Sequence, residues 1–123
     1  MAKNVLVDAG FLVALLSRRD SHHQWAVMQA PGYAPPWRTC EAVLSETFHL
    51  LGAPGSPAPS ALLRRQAVIA AFDLDNDVES VLKLLEKYVD VPMSLADACL
   101  VRGFHKRSVT VNLELLGGLM IER

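Results

Sequence analysis

Apolar positions run unbroken through Val5-Leu6-Val7, stop at Asp8, turn at Ala9-Gly10 and resume through Phe11-Leu12-Val13-Ala14-Leu15-Leu16. A short β-branched run of this kind reads as a buried strand feeding a helix, because a strand covered on both faces is apolar at every position rather than at alternate ones. The polar break Ser17-Arg18-Arg19-Asp20-Ser21-His22-His23 ends that helix and opens another through Trp25, Ala26 and Met28, with Asp20 or Ser21 as its cap. Gly32-Tyr33-Ala34-Pro35-Pro36-Trp37-Arg38 approaches the next element and ends in a short strand. Thr39 then caps a predicted helix from Cys40 to Leu51, which Gly52 and Pro54 close.

Further on, Gly55-Ser56-Pro57-Ala58-Pro59-Ser60 reads as a loop and the stretch from Ala61 to Ala71 as a helix. Phe72-Asp73-Leu74-Asp75 alternates with period two, which predicts a short strand. Asp75 or Asn76 caps an amphipathic helix from Val78 to Val89, with Val78, Val81, Leu82, Leu85 and Val89 as its apolar stripe. After the turn Asp90-Val91-Pro92-Met93, Ser94 caps a helix from Leu95 to Phe104. Ser108-Val109-Thr110-Val111-Asn112 reads as a strand with Asn112 at its carboxyl end, and Leu119-Met120-Ile121 as an edge strand. Strands alternating with helices in this order predict an α/β fold, a three-layer sandwich with a central, mostly parallel sheet flanked by helices.

The 123 residues, 51% of them apolar, are enough for one domain spanning 1–123 with a core of its own. A formal charge of −1 excludes a broad basic footprint, so any nucleic-acid contact has to come from a local patch or through a metal. The two cysteines, Cys40 and Cys99, lack the spacing of a zinc site or a disulfide framework and read as small apolar residues of a reduced protein. No apolar run approaches the roughly 18 residues of a membrane span, and no signal-peptide layout is present, so a cytoplasmic protein without a membrane partner is expected.

Three carboxylates stand where patterning points inward or toward the ligand crevice at the carboxyl ends of the strands: Asp8, Glu46 and Asp97. Each has a structural alternative. Asp8 can cap the helix after it, and Asp97 can contact the Ser94 cap from the third helical position. On the mid-chain helix, Glu41, Ser45 and His49 recur every four residues as a polar face, whereas Glu46 shares its spacing with Ala42, Val43 and Leu50 and is the better site candidate. His22 and His23 point about 100° apart on a helix and read as surface or capping residues. Three acids brought together raise one another's pKa, and a hard divalent cation, Mg²⁺ or Mn²⁺, resolves the repulsion.

The segments VLVDAGFLVALLSRRDSHHQWA, TCEAVLSETFHLL and EKYVDVPMSLADACLV, in this order and covering nearly the whole chain, resemble a PIN domain, the nuclease fold of the VapC-type toxins. The resemblance implies a metal-dependent endoribonuclease that hydrolyses RNA phosphodiester bonds, with Asp8, Glu46 and Asp97 as its catalytic and metal-holding acids and Mg²⁺ or Mn²⁺ as cofactor. It further implies an RNA substrate, a small antitoxin as partner and a homodimer. Arg18, Arg19, Arg38, Arg102, Lys106 and Arg107 are the candidate RNA contacts.

The sequence departs from the PIN pattern in one place. Where the family carries a fourth acid in a T-x-D setting, this chain has Thr110-Val111-Asn112. Asparagine offers a carbonyl oxygen but removes a negative charge; Glu114 or Asp90 could supply it. The alternative function is therefore a degenerate PIN domain acting as a non-catalytic binding or regulatory module. A phosphatase on a similar scaffold fits less well, since no Gly-rich phosphate loop is present and Asp8 is followed by Ala9-Gly10 rather than by an Asp-x-Asp pair.

Overall fold

The computed structural model describes residues 5–87, 90, 94–106, 111–112 and 119–122, with side chains described up to residue 100. In chain order the elements are β1 (Val5–Val7), α1 (Ala9–Leu16), α2 (His23–Gln29), β2 (Trp37–Cys40), α3 (Glu41–Gly55) and α4 (Pro57–Arg64). These are followed by β3 (Val68–Phe72), α5 (Val78–Lys87), α6 (Leu95–Lys106), β4 (Val111–Asn112) and β5 (Leu119–Glu122). The sheet order is β3-β2-β1-β5-β4; β3, β2 and β1 are parallel, and β5 is antiparallel to both β1 and β4. Four of the five described strands therefore run in one direction, and helices flank the sheet as the alternation of elements predicts.

The core forms where β1 and α1 meet. Val5, Leu6 and Val7 are buried at consecutive positions, as a strand covered on both faces requires. Phe11 has no exposed surface and meets Trp25 at 6.1 Å and Trp37 at 5.5 Å, both edge to face. Val43, Val68, Val81, Cys99 and Leu100 complete the buried cluster and draw in α3, β3, α5 and α6.

Several local expectations are corrected. His22, not Asp20 or Ser21, is the cap residue of α2; the Asp20 carboxylate accepts the His22 N–H at 2.8 Å. Thr39 belongs to β2, and Cys40 is the cap residue of α3. Gly52 breaks α3 with φ 69°, a conformation open to glycine. The predicted loop over 55–60 is replaced by the start of α4, where Pro57 takes the first turn, since a proline costs nothing at a position whose N–H has no helical partner.

The predicted helix from Ala61 to Ala71 ends at Arg64 instead. Gln66 turns left-handed with φ 58°, and the Ala67 N–H reaches the Leu62 carbonyl at 2.9 Å while the Gln66 N–H reaches that of Leu63 at 3.1 Å. This is a Schellman closure without its usual glycine. Val68–Phe72 can then pair with β2, and the expected strand at 72–75 becomes a 3₁₀ turn over Leu74–Asn76, where Asp73 accepts the Asp75 N–H. On α5, Val81 is buried but Val78 and Leu82 are 40% and 43% exposed, so the apolar stripe faces the core through Val81, Leu84 and Leu85. Val89 lies outside the described residues, as do Ser108 to Thr110. The strand expected at the sheet's edge, β5, is interior, and β4 forms the edge.

Candidate functional site

β1 ends at Asp8, which takes extended backbone angles and caps α1: its Oδ1 accepts the Phe11 N–H at 2.9 Å. The structural and functional readings of Asp8 therefore hold together, because a cap at the carboxyl end of a central strand also stands at the ligand crevice of the sheet. Asp97 behaves in the same way on α6. Its N–H donates to Ser94 Oγ at 3.0 Å and its Oδ2 accepts the Ser94 N–H at 3.2 Å, forming a reciprocal capping box. Asp8 thus stands at the cap of α1 and Asp97 in the first turn of α6, both at a helix start where the backbone dipole favours negative charge.

The electrostatics couple Asp97 and Glu46 to Asp8. Burial pushes the Asp8 carboxyl from 3.8 to about 6, and the charges of Asp97 and Glu46 add to the rise, while the N–H groups of Phe11 and of Asp8 itself pull it back. Asp97 and Glu46 are both exposed. For Glu46 this corrects the expectation of apolar surroundings: the buried line of α3 is Val43 and Thr47, and Leu50, on the face assigned to Glu46, is 57% exposed. Among the residues whose side chains are described, up to residue 100, no Lys, Arg or His forms an ion pair with any of the three acids. Nor, among those residues, do three His, Cys, Asp or Glu side chains cluster closely enough to hold a metal as they stand. Asp97 and Glu46 act on Asp8 through space, as charges that raise its pKa.

A cleft of about 370 Å³ opens at the carboxyl ends of β2 and β3, lined by Cys40, Glu41, Ser45, Phe72, Asp73 and Cys99 among others. None of the three acids lines it, but Ser45 precedes Glu46 and Cys99 follows Asp97 by two positions. Sequence reasoning left Glu41 on a solvated face and did not find this cleft, which depends on β3 beginning at Val68. The two thiols of its wall are free and buried. Burial raises both of their pKa values, that of Cys99 to about 11 with Cys40 beside it, which keeps them protonated and unreactive.

The remaining candidates are dispersed. Arg18 and Arg19 are exposed at the far end of α1, roughly 12 Å along its axis from Asp8 at 1.5 Å per residue. Arg38 is half-buried on β2, level with Leu6 and Ile69. Arg102 and Lys106 lie on α6, five and nine positions after Asp97, and Arg107 and Glu114 lie outside the described residues. Asp90 is an exposed turn residue. Asn112 pairs with Ile121, which pairs with Val5, so it stands two strands from β1 and level with the start of that strand rather than with Asp8. His23 places Nδ1 at 2.8 Å from the Ala14 carbonyl; a carbonyl only accepts, so the ring donates there and ties α2 to α1.

No family model matches the chain, and no curated protein matches it. Among solved structures, the crystal structure of VapC20 from Mycobacterium tuberculosis, a sarcin-ricin loop cleaving toxin, aligns with a TM-score of 0.74. It is 24% identical, and the alignment covers 84% of this chain and 82% of that one. The likeness shows the fold: this chain has an α/β sandwich of the same architecture as that structure. No described helix is long and apolar enough to cross a membrane.

Proposed function

We propose that the chain, as one PIN-like domain, is a metal-dependent endoribonuclease of the VapC type, hydrolysing RNA phosphodiester bonds at the carboxyl edge of the sheet. One observation carries the reading: the half-buried Asp8 carboxylate, with Glu46 and Asp97 acting on it and no cationic side chain paired to it among the side chains described up to residue 100. An all-oxygen donor set of this kind fits Mg²⁺ or Mn²⁺, and Asp8, Glu46 and Asp97 are the residues that would hold it. When bound, the ion supplies charge stabilisation at the scissile phosphate and a water acidified for attack.

The chain's own residues do the rest. The Phe11 N–H fixes the Asp8 carboxylate on the first turn of α1, and the Ser94 N–H fixes that of Asp97 on α6. Each carboxylate keeps lone pairs beyond the single bond its cap uses. Arg38 and the basic residues of α6, Arg102 and Lys106, share elements adjoining the acids and are the proposed RNA contacts. The fold shared with a toxin that cleaves the sarcin-ricin loop supports RNA as substrate, with a small antitoxin, a second copy of the chain and a cytoplasmic setting as parts of the same reading.

The test is cleavage of a labelled single-stranded RNA with Mn²⁺, with Mg²⁺ and with chelator, beside an identically prepared Asp8→Asn control. Metal-dependent cutting that is lost in the control is expected; equal cutting by both proteins, or none by either, overturns the proposal. The alternative, a non-catalytic module on the same fold, is favoured by Asn112, which stands where the resemblance leads one to expect a fourth acid. Calorimetric titration with Mn²⁺ separates the two, since the module binds none at millimolar metal.

A further inference from the structure

We infer that Thr39 is a positioning residue for Asp8, acting through the Val7–Asp8 peptide group; the inference rests on the reading of Asp8 as a site carboxylate. Thr39 lies in β2 with 1% of its surface exposed, and its Oγ1 donates to the Val7 carbonyl at 2.8 Å. β1 and β2 pair at Val5↔Trp37 and Leu6↔Arg38, so the hydroxyl carries the connection one residue beyond the recorded register, to the point where β1 gives way to Asp8.

Burying a hydroxyl costs free energy unless it is bonded, and valine fills the same space in a strand without that cost. This hydroxyl donates to the carbonyl of the peptide unit whose N–H belongs to Asp8. A peptide unit is planar, so holding the Val7 oxygen also fixes the direction of the Asp8 N–H and the place of the Asp8 Cα. A bond at the carbonyl further polarises the N–H of the same amide, which is one of the two N–H groups acting on the Asp8 carboxylate. The next residue, Cys40, opens α3, the helix of Glu46, and the β2–β3 register shifts between Thr39 and Cys40. Thr39 thus joins the strand that launches Asp8 to the strand that launches Glu46.

The test compares Thr39→Val and Thr39→Ser with the parent chain. The Phe11 N–H, which donates to Asp8 Oδ1, is a reporter of the carboxylate's position that needs neither metal nor RNA. In T39V its hydrogen exchange is expected to quicken about fivefold to tenfold, the loss of one hydrogen bond's net contribution, while the Val81 amide in α5 is unchanged. Mn²⁺ affinity by calorimetry is expected to fall roughly tenfold, as for other groups that orient a metal ligand, and RNA cleavage to lose kcat at constant KM. T39S restores all three. An unchanged Phe11 amide in T39V, or T39S behaving as T39V, overturns the inference. If T39V does not fold, Thr39→Ala replaces it, and Phe11 and Val81 quickening together would show a merely structural residue. A parent chain that neither binds Mn²⁺ nor cuts RNA, yet shows the Phe11 response, defeats the nuclease reading and leaves the positioning intact.

Discussion

The Phe11 amide donates to the Asp8 carboxylate at 2.9 Å, while the Phe11 ring is fully buried between Trp25 and Trp37. The best-packed aromatic of the core and the central acid of the candidate site are therefore held within one helical turn. A site built this way is as rigid as the core beneath it.

The elevated pKa of Asp8 is also a statement about stability. Its carboxyl titrates at about 6 in the folded chain against 3.8 unfolded, so the folded state binds the proton more tightly. The contribution of this group therefore falls as pH rises from about 4 to about 6, and its full cost is present above that window. The cost is at most about 3 kcal/mol at neutral pH and less after solvent screening. Asp8→Asn keeps the helix cap and removes the charge, so the metal-free variant is expected to be about 1–2 kcal/mol more stable than the parent at pH 7.5, with no gain near pH 4. Urea unfolding at the two pH values measures this; a destabilised D8N at pH 7.5 contradicts it.

Asp97 and Ser94 separate capping from chemistry. Ser94→Ala removes the hydroxyl that accepts the Asp97 N–H and is expected to cost about 1 kcal/mol while RNA cleavage persists. Asp97→Asn keeps an oxygen for the Ser94 N–H and is expected to melt within a few degrees of the parent yet lose cleavage at least a hundredfold. Melting curves and cleavage rates for the pair decide the matter.

On α3, Glu46→Gln alters an exposed residue that makes no side-chain hydrogen bond among the described residues, so stability should shift by less than about 0.5 kcal/mol. Cleavage is expected to fall about a hundredfold or more, because this charge acts on Asp8 and is one of three proposed to hold the ion. A Glu46→Gln protein that cuts RNA at the parent's rate removes Glu46 from the site.

Gln66 tests a backbone argument far from the acids. Its left-handed conformation disfavours a residue with a Cβ, by about 1–2 kcal/mol, and Gln66→Gly relieves that strain at some cost in unfolded-chain entropy. A net gain of about 0.5–1 kcal/mol in thermal unfolding is expected, with cleavage unchanged.

The first strand and helix were legible because a run that is apolar at every position has few alternatives, and the Ser94–Asp97 box because its spacing is a local signal. The stretch from 57 to 72 was not. Its helix begins at a proline easily taken for a breaker and ends on Gln66 where glycine is the usual signal, so periodicity ran on into what is β3. Glu46 was found as a candidate for a reason the structure does not uphold. Periodicity sets Glu46 beside Val43, but it cannot tell that the neighbours of α3 cover the line through Val43 and Thr47 and leave Glu46 and Leu50 exposed. That Asp8 feels Glu46 follows from tertiary placement, to which spacing along a single helix is blind.

Asp8 and Asp97 each hold a helix start through an oxygen that asparagine also possesses. Replacing either carboxylate by its amide therefore erases charge without unthreading the architecture, so durability of the scaffold and competence of the chemistry can be inherited separately. In such a lineage a silenced copy would persist as a sound folded body, available for binding alone, and a cooperative unfolding transition would not by itself mark a copy as a working one.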